Sequence, residues 1–179
     1  MTMSSLDHFR LMATYNAWMN VKVYDAAERL TAEDLARNRG AFFGSILGTL
    51  NHIAAADLIW SGRLATHPPF VGRFNLDGLP APTSVNFIVS DDLSTLRPIR
   101  DRLDRMIIAF IGGVDERDLG GVFSYKRTDG TPHRKALSSV LSHIFNHQTH
   151  HRGQVTTLLT QAGVDVGVTD ILALIPEVD

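Results

Sequence analysis

The stretch that decides the fold is KALSSVLSHIFNHQTHHRGQVTTLLTQA, residues 135–162. Its apolar residues recur at steps of three and four, the period of an α-helix that buries one side. Gly163 follows directly, and glycine is common just after the last turn of a helix because it tolerates positive φ. The sequence therefore predicts one long helix over these residues.

Three further segments carry the same helical period. They run from about Ser5 to Leu30, from the N-cap Ser45 to about Leu64, and from Ser90 or Asp91 to about Ile111. Pro98 lies inside the last segment, so an alternative start for that helix lies near Leu96. Four long helices predict an all-α four-helix bundle.

Two connections of the predicted bundle have structure of their own. Residues 67–92 hold four of the seven prolines but are too apolar for a free linker. We expect a long ordered loop there, after the second helix, and it allows a helix order other than simple up-and-down. Residues 122–125 predict a strand, residues 128–130 a turn and residues 131–133 the returning strand, which makes a small β-hairpin before the fourth helix.

Composition narrows the function classes. The 179 residues suit one domain, residues 1–179, with a net charge of −2 and no basic excess that would favour nucleic acid. The chain has no cysteine, which excludes disulfides and thiolate ligands. Neither a signal peptide nor a run of 18 apolar residues is present, so we expect a cytoplasmic protein that does not enter membranes.

Histidines form the most informative pattern. His143, His147, His150 and His151 lie in the fourth predicted helix and share one face at 100° per residue. Histidines three or four residues apart can bind one metal ion. The spacing leaves open the pairs 147/151, 143/147 and 147/150. With His52 in the second predicted helix, the pattern predicts a divalent metal site.

One familiar use of this spacing does not fit. The segment His147–His151 has the two histidines of the zinc-protease motif H-E-x-x-H, but Gln148 stands where that motif has glutamate. A glutamine amide cannot take a proton from water at neutral pH. A protease of this class is therefore excluded.

The segments His143–Gln154, Thr49–Ala54 and Tyr15–Trp18 together resemble the motifs of the DinB/YfiT-like family of metalloenzymes, and the resemblance covers nearly the whole chain. It implies a four-helix bundle, often a homodimer, with a three-histidine site for Ni²⁺ or Zn²⁺. The family's metal ligands fall on His52, His147 and His151. His150 is then a neighbour of the site, and Gly153 is interpreted as allowing close helix approach.

The resemblance also implies a chemistry. Characterised members of that family use the metal to activate a low-molecular-weight thiol. We therefore expect a metal-dependent enzyme that activates a thiol or water for transfer to a small electrophilic substrate. The alternative is a non-catalytic, stress-associated dimeric bundle that binds metal.

Three further residues are candidates to orient the imidazoles through hydrogen bonds, namely His150, Gln154 and Asp57. For Asp57 a solvated charge on the helix face is the favoured interpretation. Trp18 and Trp60 are expected to be aromatics of the core or of a pocket wall. No catalytic base or nucleophile is identified.

Overall fold

Four long helices dominate the computed structural model, which describes residues 4–177. They are α1 (Ser5–Ala27), α3 (Ile46–Ala65), α4 (Leu93–Gly112) and α6 (Leu137–Gln161). Two short helices lie between them, α2 (Ala32–Ala36) and α5 (Glu116–Leu119), and 3₁₀ turns cover Pro68–Phe70 and Ile171–Leu174. The all-α four-helix bundle predicted from the sequence is confirmed.

The packing order differs from the order along the chain. Helix α1 packs against α4 and α6, and α3 packs against the same two helices. The long helices α1 and α3 are consecutive in sequence, yet they lie diagonally across the bundle. This arrangement places α3 beside α6, and so brings the two histidine-bearing helices into contact.

Side-chain caps set where α3 and α4 begin. The Ser45 hydroxyl accepts a hydrogen bond from the Gly48 N–H at 2.9 Å, as its predicted N-cap role requires. The Asp92 carboxylate accepts from the Thr95 N–H at 3.0 Å, so α4 begins between its two predicted starts. Pro98 lies in the second turn of α4 on an exposed position, and α4 continues through it with the loss of one backbone hydrogen bond.

The two structured connections take the predicted forms. Strands β1 (Val122–Lys126) and β2 (Pro132–Ala136) pair antiparallel, and β2 leads directly into α6. Both strands are longer than the sequence pattern indicated. In the long loop after α3, Phe70 is fully buried, and the Asn51 side chain accepts hydrogen bonds from the N–H groups of Val89 and Ser90. The loop is therefore fastened to α3.

None of the helices within residues 4–177 is long and apolar enough to cross a lipid bilayer.

Two apolar clusters form the core. One gathers around Val23, Leu50 and Leu159, the other around Phe9, Phe110 and Phe145. Between them along the helices lies a layer of buried polar side chains, which we call the polar layer. Its members are Asn16 and Asn20 from α1, Asp57 from α3, Arg100 and Asp104 from α4, and Gln148 and Arg152 from α6.

The polar layer joins all four long helices. Arg100 lies at its centre, with Nη1 2.5 Å from Asp57 Oδ2 and Nη2 2.8 Å from Asp104 Oδ1. Asn16 and Asn20 donate to Asp104, at 3.0 Å and 2.9 Å. Burial alone would lower the pKa of Arg100, but the two carboxylates outweigh it and raise that pKa above its usual value. The guanidinium therefore stays charged.

Removing Arg100 leaves two buried carboxylates without their main counter-ion. We expect Arg100→Met to lower the free energy of unfolding by about 3–5 kcal/mol, as for other broken buried ion pairs. Arg97→Met is the matched control on the same helix, because Arg97 pairs at the surface with Asp25 and Glu28. Its loss should cost about 1 kcal/mol or less. Urea unfolding measures both, and equal losses would contradict a special role for the polar layer.

Candidate metal centre

Three imidazoles from α3 and α6 converge on one point. His52 Nε2 lies 3.0 Å from His147 Nε2 and 3.1 Å from His151 Nε2. Within the described residues, this is the one group of at least three His, Cys, Asp or Glu side chains that can share a metal ion. His143 and His150 lie outside it. The group thus contains the three residues that the family resemblance implied.

Hydrogen bonds on the far side of two rings decide which nitrogens face the centre. His52 Nδ1 lies 2.9 Å from the Val85 carbonyl oxygen, and His151 Nδ1 lies 2.8 Å from Gln154 Oε1. Both oxygens can only accept, so each Nδ1 carries the proton and each Nε2 keeps its lone pair. Two lone pairs that face each other at 3.1 Å cannot form a hydrogen bond. A cation between them satisfies both, so this donor set fits a metal ion.

The charge state of the imidazoles agrees with this fit. Burial, with a further contribution from the neighbouring imidazoles, lowers the pKa of His147 to about 3. Burial also lowers the pKa values of His52 and His151. All three rings are therefore neutral at pH 7, which is the state that binds metal.

An aromatic ring covers one side of the group. Phe43 stacks on His52 with 3.8 Å between ring centroids, and it meets His151 edge-on at 5.4 Å. Phe43 belongs to the turn before α3, which Gly44 permits with its φ of +76°. This contact holds the His52 ring in place and keeps water from that side.

The three histidines form part of the wall of a cleft of about 660 Å³. Its size suits a small-molecule ligand. The cleft runs between α3 and α6 to the β-hairpin, and much of its wall is apolar or aromatic. These wall residues include Ala56, Ile59, Trp60, Tyr125 and Val140. Trp60 is thus a pocket-wall aromatic, as the sequence predicted.

Gln148 and Asp57 lie behind the histidines rather than in the cleft. The Gln148 side chain is fully buried and donates from Nε2 to both Asp57 carboxylate oxygens at 2.8 Å. The interpretation of Asp57 as a solvated charge is wrong, since it is 2% exposed and pairs with Arg100. Its hydrogen bonds go to Gln148 and Arg100, so it acts on the histidines by fixing α3 against α6.

The other candidate residues take different positions. Gln154 accepts from His151 with Oε1, while its Nε2 lies 3.2 Å from Nε2 of the exposed His150. Gln154 thus orients a ring of the group, and His150 also meets the His151 ring edge-on, with 4.8 Å between ring centroids. The interpretation of Gly153 is wrong: it is exposed, and a Cβ there would meet no atom within 4 Å.

Two contributors to the site were missed by the sequence predictions. The Val85 carbonyl orients His52 and the Phe43 ring covers it, and both residues belong to loops. Neither has a periodic pattern that points at the site. A backbone carbonyl, moreover, has no residue type from which its role can be read.

The fold and the site together define a class of protein: a four-helix bundle in which neighbouring helices bring three neutral imidazoles together at a candidate metal centre. Comparison with known families narrows this class. The model of the DinB family matches residues 1–177, and the chain belongs to the DinB family, which confirms the resemblance seen in its motifs. It is 25% identical over 157 residues to Protein DinB of Bacillus subtilis (strain 168), covering 87% of each chain. No solved structure gave a significant match.

The position of Gln148 can be tested by restoring the protease motif. We expect Gln148→Glu to place a second carboxylate against Asp57 inside the polar layer, at a cost of about 3–5 kcal/mol in the free energy of unfolding. Gln161→Glu, at the exposed end of α6, is the control and should cost less than about 1 kcal/mol. Unchanged stability of Gln148→Glu in urea unfolding would show that this side chain reaches the cleft after all.

Proposed function

We propose that the protein is a divalent-metal-dependent enzyme that activates a low-molecular-weight thiol or water for attack on a small electrophile. The observation that carries the proposal is the convergence of three neutral imidazoles on the wall of a cleft sized for small molecules. His52, His147 and His151 would hold the ion. Zn²⁺ and Ni²⁺ are the favoured ions because both accept imidazole nitrogen.

The number of ligands favours catalysis over a structural role. Structural zinc sites are closed by four protein ligands, whereas catalytic sites use three and leave a position for water or substrate. The described residues bring three ligand side chains together. Held by these three residues, a divalent ion would lower the pKa of a thiol or water at the open position towards neutrality.

The chain's own residues orient the imidazoles and set the polarity of the cleft. The Val85 carbonyl and Gln154 hold the rings of His52 and His151 in orientation, and Phe43 shields one side. Ile59 and Val140 make part of the cleft wall apolar, which suits the soft, weakly hydrated sulfur of a thiol. The thiol itself is proposed from the family resemblance of the histidine motifs.

Elemental analysis tests the metal site. We expect protein purified without a nickel column to contain about one divalent ion per chain, because three imidazoles make one site. His147→Ala should lose most of that ion. His150→Ala is the control on the same helix and should retain it, since His150 lies outside the group. Equal metal content in wild type and His147→Ala would contradict the ligand assignment.

Turnover separates an enzyme from a metal-binding bundle without activity. With Zn²⁺ or Ni²⁺ restored, we expect the protein to accelerate the reaction of glutathione or cysteine with 1-chloro-2,4-dinitrobenzene, because the ion would favour the reactive, deprotonated form of the thiol at pH 7. The acceleration should vanish with chelator and in His147→Ala. Bound metal whose positions are all filled by protein, with no acceleration of thiol transfer or ester hydrolysis, would favour the non-catalytic alternative.

A further inference from the structure

The charged side chains that line the cleft are all positive. Its lining contains the cations of Arg63, Arg127 and Lys135 but no aspartate or glutamate. This contrasts with the whole chain, which has two more acidic than basic residues. The positive charge is therefore a local property of the cleft, and a cleft with walls of low dielectric concentrates such a field.

These three cations have no carboxylate partner within residues 4–177, although other arginines of the chain do pair. Asp129, at the tip of the hairpin, feels the charge of Arg127 but lies outside the cleft lining. Burial lowers the pKa of Arg63, and the charge of Arg127 adds to that effect. The cleft thus holds positive charge that the protein itself leaves uncompensated.

Arg63 is held in place by aromatic rings. Its guanidinium carbon lies 4.6 Å from the centroid of Trp60 and 5.3 Å from that of Tyr125. Such stacking holds the planar guanidinium flat against the rings and leaves its N–H edge free for another partner. A planar fork of N–H donors binds a carboxylate or a phosphate with two parallel hydrogen bonds.

Helix geometry sets the distance between the cations and the metal centre. Arg63 follows His52 by eleven residues on α3, so the two side chains share a face and lie about 16 Å apart along the axis. Both side chains lean towards the N-terminus, Arg63 further because it is longer, so the gap between its guanidinium and the His52 imidazole is shorter than about 16 Å. A small molecule of that length spans the cleft.

We propose that the cations of the cleft form an oxyanion site, at which Arg63, with Arg127 and Lys135, binds a carboxylate or phosphate of the substrate. The other end of the same molecule then reaches His52, His147 and His151. This second statement rests on the proposed function, whereas the oxyanion site stands without it. The substrate class is an anionic small molecule whose charged group lies up to about 16 Å from its reacting atom.

Tryptophan fluorescence tests the site directly. The chain has two tryptophans, and Trp18→Phe leaves Trp60 as the one reporter beside Arg63. We expect titration with inorganic phosphate or with succinate, at constant ionic strength, to give a saturable change. Calorimetric titration gives the same affinities independently, and the two anions distinguish a phosphate site from a carboxylate site.

Variants identify which residue binds the anion. Arg63→Gln should weaken anion binding at least about tenfold, as expected for loss of a charge-assisted bidentate contact, and Lys135→Gln, at an exposed position, should weaken it in the same direction. Arg105→Gln removes the same charge from an exposed site on α4 outside the cleft, and should bind as the wild type does. Equal weakening in Arg63→Gln and Arg105→Gln, or no saturable binding of either anion, would overturn the oxyanion site.

The same variants separate this inference from the proposed function. His147→Ala should lose metal but keep anion binding, and Arg63→Gln should lose anion binding but keep metal. Anion binding without any metal in the wild type would contradict the proposed function alone. Metal without anion binding would contradict the oxyanion site alone.

Discussion

The arrangement of the bundle depends on charged side chains that are buried away from water. Asp57, Arg100 and Asp104 lie where the apolar core is interrupted, and asparagines and glutamine from the other helices complete their hydrogen bonds. A buried ion pair adds little net stability compared with apolar side chains of the same volume, but any arrangement that separates its members is heavily penalised. The polar layer therefore acts mainly by excluding other alignments of the four helices. It decides how far each helix is shifted along its neighbours.

That alignment is what makes a three-histidine group from two separate helices. Gln148 is the residue after His147, and its bond to Asp57 fastens α6 to α3 at the level of the imidazoles. The polar layer and the histidine group thus lie on two sides of the same contact between α3 and α6. Side chains that point inwards fix the alignment, and those one position away point into the cleft. The distances of 3.0 and 3.1 Å between ring nitrogens depend on this contact.

The sequence predicted the parts of the molecule that are governed by local pattern. Helical period, caps and turn residues located all four long helices and the hairpin. Spacing showed that α6 offers several chelating pairs, and the family motifs were needed to choose among them. Asp57 was misjudged because its position on a helix says nothing of what lies opposite, and its partner Arg100 is 43 residues away. Phe43 and the Val85 carbonyl were missed because loop contacts follow no period. Gly153 was misinterpreted because glycine occurs both on open surfaces and where helices approach closely.

The bond between His52 and Val85 has a consequence for how relatives of this chain diverge. The ring of His52 is oriented by a backbone carbonyl that belongs to a long surface loop, far from the three histidines in sequence. Loops accept insertions, deletions and substitutions more readily than helices do. A change in loop length or in its prolines moves that carbonyl, and with it the orientation of the His52 imidazole, while all three histidines stay in place. At the proposed metal site, ion affinity and preference can therefore differ between relatives whose histidine motifs are identical.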